Sequence, residues 1–386
     1  MTVDIPDGLG LPVYGRTLDR PPGDVKMVRC PGAAETRAQR GREMPTLQDV
    51  AREAGVSKMT VSNVLNGRRD RVSPATIARV MEVVGRLGYV PNATARSLSA
   101  RRSNIVALAF PSRAAGGVTP LTNPHDSLFL SEVEEHVTQA GLYLMAHSVN
   151  SVESTANSLR SWNVDGVIFL GTRADEVAAL QAAYDAPMVF IDNHGTLPHI
   201  SNVGIEDRLG GHLAGRRLVE AGHRRIGFVG PRFDEPGVVR ERHAGFVQAL
   251  AEAGLSLRPE HVVHCNAGFD HAVAAARQVL AAPERPTAVF ATADIIAAGL
   301  LKGFVRAGCR VPDQMSIIGF DDLEVAQHVT PEITTLRQDI PGKARAAVEV
   351  LLTQLAHWPA ARSERRVLGV TLIERESVAP PPADPV

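Results

Sequence analysis

The chain of 386 residues is 44% hydrophobic and 22% charged, with a formal net charge of −1, the profile of a globular protein of two or three domains. No apolar run approaches the roughly 18 residues of a membrane-spanning helix, and the N-terminus lacks the basic-then-apolar pattern of a secretion signal. Cys30, Cys265 and Cys309 are scattered without a CxxC pair, which excludes a disulfide framework and a structural zinc site and makes a reducing cytoplasm the expected compartment. The near-zero total charge hides an asymmetry. Residues 44–104 carry ten Lys/Arg against four Asp/Glu, whereas residues 105–386 carry 24 against 32. A compact basic segment attached to an acidic body is the electrostatic footprint of a nucleic-acid-binding head.

Residues 1–43 hold Pro6, Pro12, Pro21, Pro22 and Pro31 with no sustained hydrophobic period, and are expected to form a disordered extension. Met44 stands directly before the first predicted helix, as a second candidate for the translation start. Residues 44–90 are expected to fold as three short helices. In TLQDVAREAGVSKMTVSNVLNG (46–67), Thr46 caps the first helix, Gly55 takes the turn and Ser57 caps the second. Val61, Val64 and Leu65 share one face of that second helix; Lys58, Met59, Ser62 and Asn63 share the other. Ser73-Pro74 starts a third helix, expected to close the core through Ile77, Val80, Met81, Val84 and Leu87. Two helices crossing at a small residue, Ala51, with polar side chains near the N-terminus of the second, form a helix-turn-helix suited to a DNA major groove. Residues 91–103 read as a short link rich in small residues and arginine.

From Asn104 the pattern changes to buried-strand runs: IVALAF (105–110), LYLMAH (142–147), GVIFLG (166–171), MVFID (188–192), IGFVG (226–230), TAVFA (287–291) and SIIGF (316–320). Helix-length amphipathic segments such as 128–140, 208–221 and 238–253 lie between them. Strand–helix alternation of this length predicts two doubly wound α/β lobes with parallel sheets and a cleft between them, over residues 104–378. The tail APPPADPV (379–386) is expected to be disordered.

The stretches TLQDVAREAGVSKMTVSNVLNG and VSPATIARVMEVVGRLGYVPNATARSL, with GVIFLG, AGHRRIGFVG, SIIGFDD and TTLRQD behind them, resemble the lactose-repressor (LacI/GalR) family of bacterial transcription regulators over about residues 46–378. The resemblance implies a homodimer whose heads bind the half-sites of a near-palindromic double-stranded operator, with no cofactor, in the bacterial cytoplasm at the nucleoid. Lys58, Met59 and Asn63 match base-reading positions, with Thr60 and Ser62, and also Thr46, Ser57 and Asn66, at the DNA face. Asn63 departs from the arginine of many members; asparagine pairs with adenine where arginine prefers guanine. Residues 91–98 match the hinge helix that forms on the operator, with Leu98 as minor-groove lever, Ala95 at the close approach of two hinges, and Arg96, Arg101 and Arg102 on phosphates.

The body resembles periplasmic sugar-binding proteins, with three crossovers between the lobes and an effector in the cleft. Strand ends line such clefts, which makes Asp192, Asp294, Phe320, Asp321 and Gln338 candidates, with Arg242 on the helix after IGFVG. Carboxylates and an arginine suit a polyol. The competing readings are a helix cap for Asp294, a turn for Asp322, a surface ion pair with Glu241 or Asp234 for Arg242, and a helix end for His223. His125 and His194 are loop histidines with no assigned role. Ala293, where members often carry asparagine, and the long loop 111–127 leave the effector open between a neutral sugar and another metabolite, and its sign open between induction and corepression. The missing leucine-heptad helix after Val378 favours dimers over tetramers. No GxGxxG, Walker A, GxSxG or HExxH stands in a suitable context, which argues against an enzyme; the basic head argues against a transport-type sugar binder.

Overall fold

In the computed structural model, residues 45–65, 67, 68, 72–90, 102–111, 120–195, 197, 199–234 and 236–382 are described. They fall into two compact units divided between residues 91 and 92. In the first, α1 (Leu47–Glu53) begins at Thr46, whose hydroxyl accepts from the Asp49 amide while the Asp49 carboxylate accepts from the Thr46 amide, a reciprocal capping box. α2 (Lys58–Leu65) begins after Ser57, whose Oγ accepts from the Thr60 amide at 3.1 Å. α3 (Pro74–Leu87) has Ser73 as its cap and Pro74 in the first turn, and ends at Gly88 with φ 62°. Gly55, φ 63°, turns the chain between α1 and α2, a conformation that glycine adopts without strain. Val50, Ala51, Ala54, Val61, Val64, Val80 and Val83 form the core. Met81, expected in that core, is 45% exposed. The inward stripe of α3 runs Val80, Val83, Val84, Leu87, and a neighbour of Val80 lies about 100° round the helix.

The second unit holds two six-stranded sheets. Lobe 1 contains β1 (Ile105–Pro111), β2 (Tyr143–Val149), β3 (Gly166–Leu170), β4 (Met188–Ile191), β5 (Ser201–Ile205) and β11 (Arg365–Leu368), in the order β11-β5-β4-β3-β1-β2. Lobe 2 contains β6 (Ile226–Gly230), β7 (Val262–His264), β8 (Ala288–Ala291), β9 (Ser316–Asp321), β10 (Thr334–Gln338) and β12 (Val370–Ile373), in the order β12-β10-β9-β8-β6-β7. Every pairing is parallel except β10 with β12. Parallel strands need crossover helices, and these cover both faces. α4 (Pro124–Gln139) and α12 (Ile340–His357) pack on one face of lobe 1, and α5 (Val152–Ser161) and α6 (Ala174–Ala183) on the other. α7 (Asp207–Glu220) and α8 (Val238–Glu252) cover one face of lobe 2, and α9 (Phe269–Ala281), α10 (Asp294–Arg306) and the short α11 (Glu324–Gln327) the other. Covered on both sides, β3, β4, β8 and β9 are buried along their whole length, which is why their sequences are unbroken apolar runs. The chain passes between sheets three times: after β5, after β10 and between β11 and β12.

Two boundaries differ from the sequence expectation. The end of the presumed 111–127 loop is helix: Asn123 caps α4, accepting from the His125 amide, and Pro124 fills the first turn. Nor is the tail disordered from residue 379. The Ala379 amide donates to Ser316 Oγ at 3.1 Å, and its carbonyl accepts from His223 Nε2 at 2.9 Å. His223 therefore fastens the tail rather than a helix end. Its other nitrogen, Nδ1, is 2.9 Å from Thr287 Oγ1.

α7 and α8 cross where side chains are missing. A Cβ on Gly211 would stand 1.9 Å from the Arg242 carbonyl oxygen, and one on Gly245 1.8 Å from that of Arg208. Gly245→Ala is expected to destabilise lobe 2 by roughly 1–3 kcal/mol through overpacking, read as a fall in the urea midpoint. A second expectation concerns pH. Burial lowers the His223 pKa to about 4, so the unfolded chain takes up this proton below its ordinary value of about 6.5 while the folded one resists. This contribution is complete above pH 6.5 and is lost as pH falls towards 4. Thermal melts between pH 7 and 5 should show a smaller drop in Tm for His223→Gln than for the parent.

Candidate functional site

In the first unit, α2 turns Val61 and Val64 into the core and leaves Lys58 and Met59 exposed, Met59 at 72%. Ser57 is exposed, and Thr60, Ser62 and Asn63 are half-buried. Two of these hydroxyls have local work: Ser57 Oγ and Thr60 Oγ1 lie 2.9 Å apart at the start of the helix. Thr46 is exposed, with its hydroxyl 2.7 Å from the Asp49 carboxylate. The exposed start of α2 thus offers a cation and a long apolar side chain, with Asn63 one to two turns on. Asn66, Ala95, Arg96, Leu98 and Arg101 lie outside the described residues. Arg102 donates to the Leu355 carbonyl within the second unit at 3.2 Å.

In the second unit, five candidates converge where the strand ends of the two lobes face one another. Asp192 follows β4, and Asp321 ends β9. Their φ angles of 53° and 113°, with 60° at Asp322, are left-handed conformations that non-glycine residues adopt only when the surroundings impose them. Arg242, buried in α8, donates from Nε to Asp207 at 2.8 Å and from a terminal nitrogen to the Thr292 carbonyl at 2.7 Å; that nitrogen is 3.9 Å from Asp321. Its guanidinium lies 3.5 Å above the Phe320 ring. Gln338 donates to Asp321 at 2.6 Å and accepts from Lys343 at 2.7 Å. Lys343, in the first turn of α12 and fully buried, also donates to Asp192 at 2.7 Å, and its Nζ is 3.5 Å from Nε2 of His125. His194 Nε2 is 3.0 Å from the second oxygen of Asp207. The chain of polar contacts His194–Asp207–Arg242–Asp321–Gln338–Lys343–Asp192 runs from one lobe across to the other and back.

The electrostatics follow from burial and pairing. Burial opposes the charge on Asp207, but Arg242 and His194 outweigh it, and its pKa is lowered. Burial likewise opposes the His194 cation, and the hydrogen bond and charge of Asp207, helped by Asp192 and Glu241, raise its pKa. Asp321 is pushed up by burial, against the pull of His125, Arg242, Gln338 and Lys343. Asp294 is pushed well up by burial and by the neighbouring Asp321.

Asp294 and Phe320 differ from expectation. Asp294 is fully buried: one oxygen is 2.5 Å from Thr335 Oγ1, the other accepts from the Leu323 amide at 2.8 Å, and the carboxyl fits against Gly319, where a Cβ would be 2.2 Å away. It neither caps α10 nor presents a free oxygen to the cleft. It holds the turn after β9 that carries Asp321. Phe320 is also fully buried and supports Arg242 from below. Arg242 is no surface ion pair with Glu241 or Asp234, and Asp322 is bound by Arg337 and Arg375.

Sequence reading missed Asp207 and Lys343. Asp207 follows β5, whose sequence SNVGI is too polar to read as a buried strand. Lys343 was legible as the one cation on the inward stripe Ile340, Lys343, Ala344, Ala347, Leu351.

Residues 46–92 match the model of bacterial regulatory proteins of the lacI family, and residues 216–378 that of the periplasmic binding protein-like domain. A ribose operon repressor of Haemophilus influenzae is 32% identical over 339 residues, covering 87% of this chain and 99% of the relative. The HTH-type transcriptional repressor PurR of Photobacterium profundum is 33% identical over 343 residues, with the same coverage. Among solved structures, the lac repressor dimer bound to operator and the anti-inducer ONPF superposes with a TM-score of 0.77 at 26% identity, covering 87% of this chain and 100% of that one. The complex of the regulator CelR with cellobiose gives a TM-score of 0.65 at 31% identity, covering 86% and 99%.

The contrast between Asp294 and Asp321 can be tested. An amide at 294 preserves both contacts, accepting from Leu323 and donating to Thr335, and removes a carboxyl that burial already disfavours as an anion. Asp294→Asn is expected to cost less than about 1 kcal/mol, whereas Asp294→Leu, which strands the Leu323 amide and the Thr335 hydroxyl, should cost about 2–4 kcal/mol. Equilibrium urea unfolding of the two variants checks both.

Proposed function

Since this chain belongs to the lacI family of bacterial regulatory proteins, we propose that it represses transcription as a cytoplasmic homodimer, binding a near-palindromic operator and adjusting that grip to a small molecule, first of all a neutral sugar, held between the two lobes. The observation that carries the DNA half is the exposed start of α2 on a core that fixes its orientation. Lys58 and Asn63 are assigned to base edges, Met59 to an apolar contact such as a thymine methyl, and Thr46, Ser57, Thr60 and Ser62 to the backbone. The capping contacts of Thr46 and Ser57 leave acceptor and donor capacity for a phosphate only by local rearrangement, so these two rank below Lys58. Asn66, Ala95, Arg96 and Leu98 keep the roles that the family resemblance implies.

The effector half rests on the polar chain between the lobes, with Asp192, Arg242, Asp321 and Gln338 in contact with ligand and Asp207, Asp294 and Phe320 behind them. Two relatives carry sugars in their names, ribose and cellobiose. Paired donors and acceptors suit a ring of hydroxyls, and the face of Phe320 is covered by a guanidinium rather than free to stack on a flat heterocycle. The alternative is a corepressor-dependent regulator or activator sensing a non-sugar metabolite, for which Ala293 leaves room by offering no side-chain hydrogen bond; the sign of the response is read directly by the same experiment.

Selection from a random pool of duplex DNA is expected to return one near-palindrome. Lys58→Ala should weaken binding by about 1–3 kcal/mol if it reads a base, and Asn63→Arg should move the preference at one half-site position from adenine to guanine. Adding neutral sugars to that complex should change operator affinity for one of them, and Arg242→Ala should abolish the response with DNA binding intact. A protein that selects no sequence refutes the operator; a sugar response that survives Arg242→Ala refutes the cleft.

A further inference from the structure

A fully buried lysine in the first turn of a helix is doubly disfavoured, by loss of hydration and by the positive end of the helix dipole. Lys343 is such a residue. Its counter-charge is Asp192 at 2.7 Å, Gln338 accepts a second proton at 2.7 Å, and the third side of the ammonium faces Nε2 of His125 at 3.5 Å. His125 is itself held by Asp126, 2.9 Å from Nδ1. The donors of Lys343 are thus taken up inside the protein. Asp192 is different: one oxygen takes the lysine, the other is buried without a hydrogen-bond partner, and 13% of the side chain reaches solvent. A buried carboxylate oxygen without a donor is acceptor capacity held in reserve. On the lobe 2 side, Arg242 has its own carboxylate in Asp207.

We propose that Lys343 is a positioning residue that makes the cleft selective for uncharged polyols. It supplies the charge that balances Asp192 and fixes that carboxylate to accept from a ligand hydroxyl, and it leaves neither itself nor Arg242 as an unpaired cation for a phosphate or carboxylate. The inference rests on the cleft being the effector site and adds the class of effector that it admits. A charged effector must break the Lys343–Asp192 pair or lie uncompensated in a buried site, and either is unfavourable.

The test is the ratio of affinities for neutral and anionic sugars, measured by calorimetry on the full chain. The probes are a panel of pentoses, hexoses and disaccharides that includes ribose and cellobiose, against ribose 5-phosphate, glucose 6-phosphate and gluconate. The parent should bind one or more neutral sugars and prefer them to the anionic probes. Asp192→Asn leaves Lys343 without a carboxylate, and should move that ratio at least tenfold towards an anionic probe. The double substitution Lys343→Met/Asp192→Asn removes both charges, avoids stranding either one, and should return the preference to neutral sugars with weaker binding. A role in stability alone would lower Tm in these variants with the ratio unmoved, and that result overturns the proposal, as does a parent that prefers an anionic probe. Arg242→Ala separates the two levels of failure. Binding that survives it places the ligand outside the cleft and overturns the effector reading itself, and absence of binding by both classes of sugar overturns both.

Discussion

The lobe 2 side of the cleft is built on one buried ion pair, Arg242 with Asp207. A guanidinium or a carboxylate taken out of water alone costs several kcal/mol, and the cost is met only by a partner held in good geometry. Here the geometry is a property of two helices. α7 and α8 approach so closely at Gly211 and Gly245 that their backbones touch, which places the first residue of one opposite the second turn of the other. Phe320 fills the space beneath the guanidinium, and the Thr292 carbonyl takes one of its protons. Remove the glycines and the pair separates; remove the pair and Asp321 loses its nearest cation. The arrangement is specified by backbone packing in lobe 2 and expressed as polarity in the cleft.

The same network ties the two lobes to each other. Asp207 belongs to lobe 2 and binds His194 of lobe 1; Gln338, at the second crossover, binds Asp321 of lobe 2 and Lys343 of lobe 1. Side chains in the cleft therefore already bridge the two lobes. If the proposed effector site is right, a ligand there would replace some bridges with its own, and only the difference between its fit to one lobe arrangement and to another could move the equilibrium between them. The backbone itself joins the lobes at three crossings, near residues 206, 339 and 369.

How far the sequence reveals this depends on the length scale of the signal. The helix-turn-helix and the doubly wound body were legible, because helix caps, a turn glycine and uninterrupted apolar strands are local. Asp192, Asp321 and Gln338 were legible as candidates because strand ends and the family resemblance both mark them, and Arg242, on a helix, through the resemblance. What escaped was set by tertiary environment. β5, β7, β10 and the last two strands are short or polar, and are strands only because neighbours pair with them. Asp294 follows a strand as a ligand would, yet it is enclosed by Gly319, Thr335 and Leu323, a surrounding spread over more than 40 positions. Met81 shows the same limit on a small scale: a residue in an apolar stretch lay off the inward stripe by a single position.

The order of strands also bears on how the protein is made. β11 pairs with β5 at one edge of lobe 1, and β12 pairs with β10 at the corresponding edge of lobe 2. Both come from residues 365–373, so neither sheet acquires its last strand until that segment has been made. Until then β5 and β10 are open edges, able to pair with another nascent chain. The described core of the first unit, Val50 to Val83, is drawn from one short stretch of chain and waits for no such distant strand. The edges that close last are thus set by strand order, and the interval before residues 365–373 are in place is when β5 and β10 stand unpaired on one side.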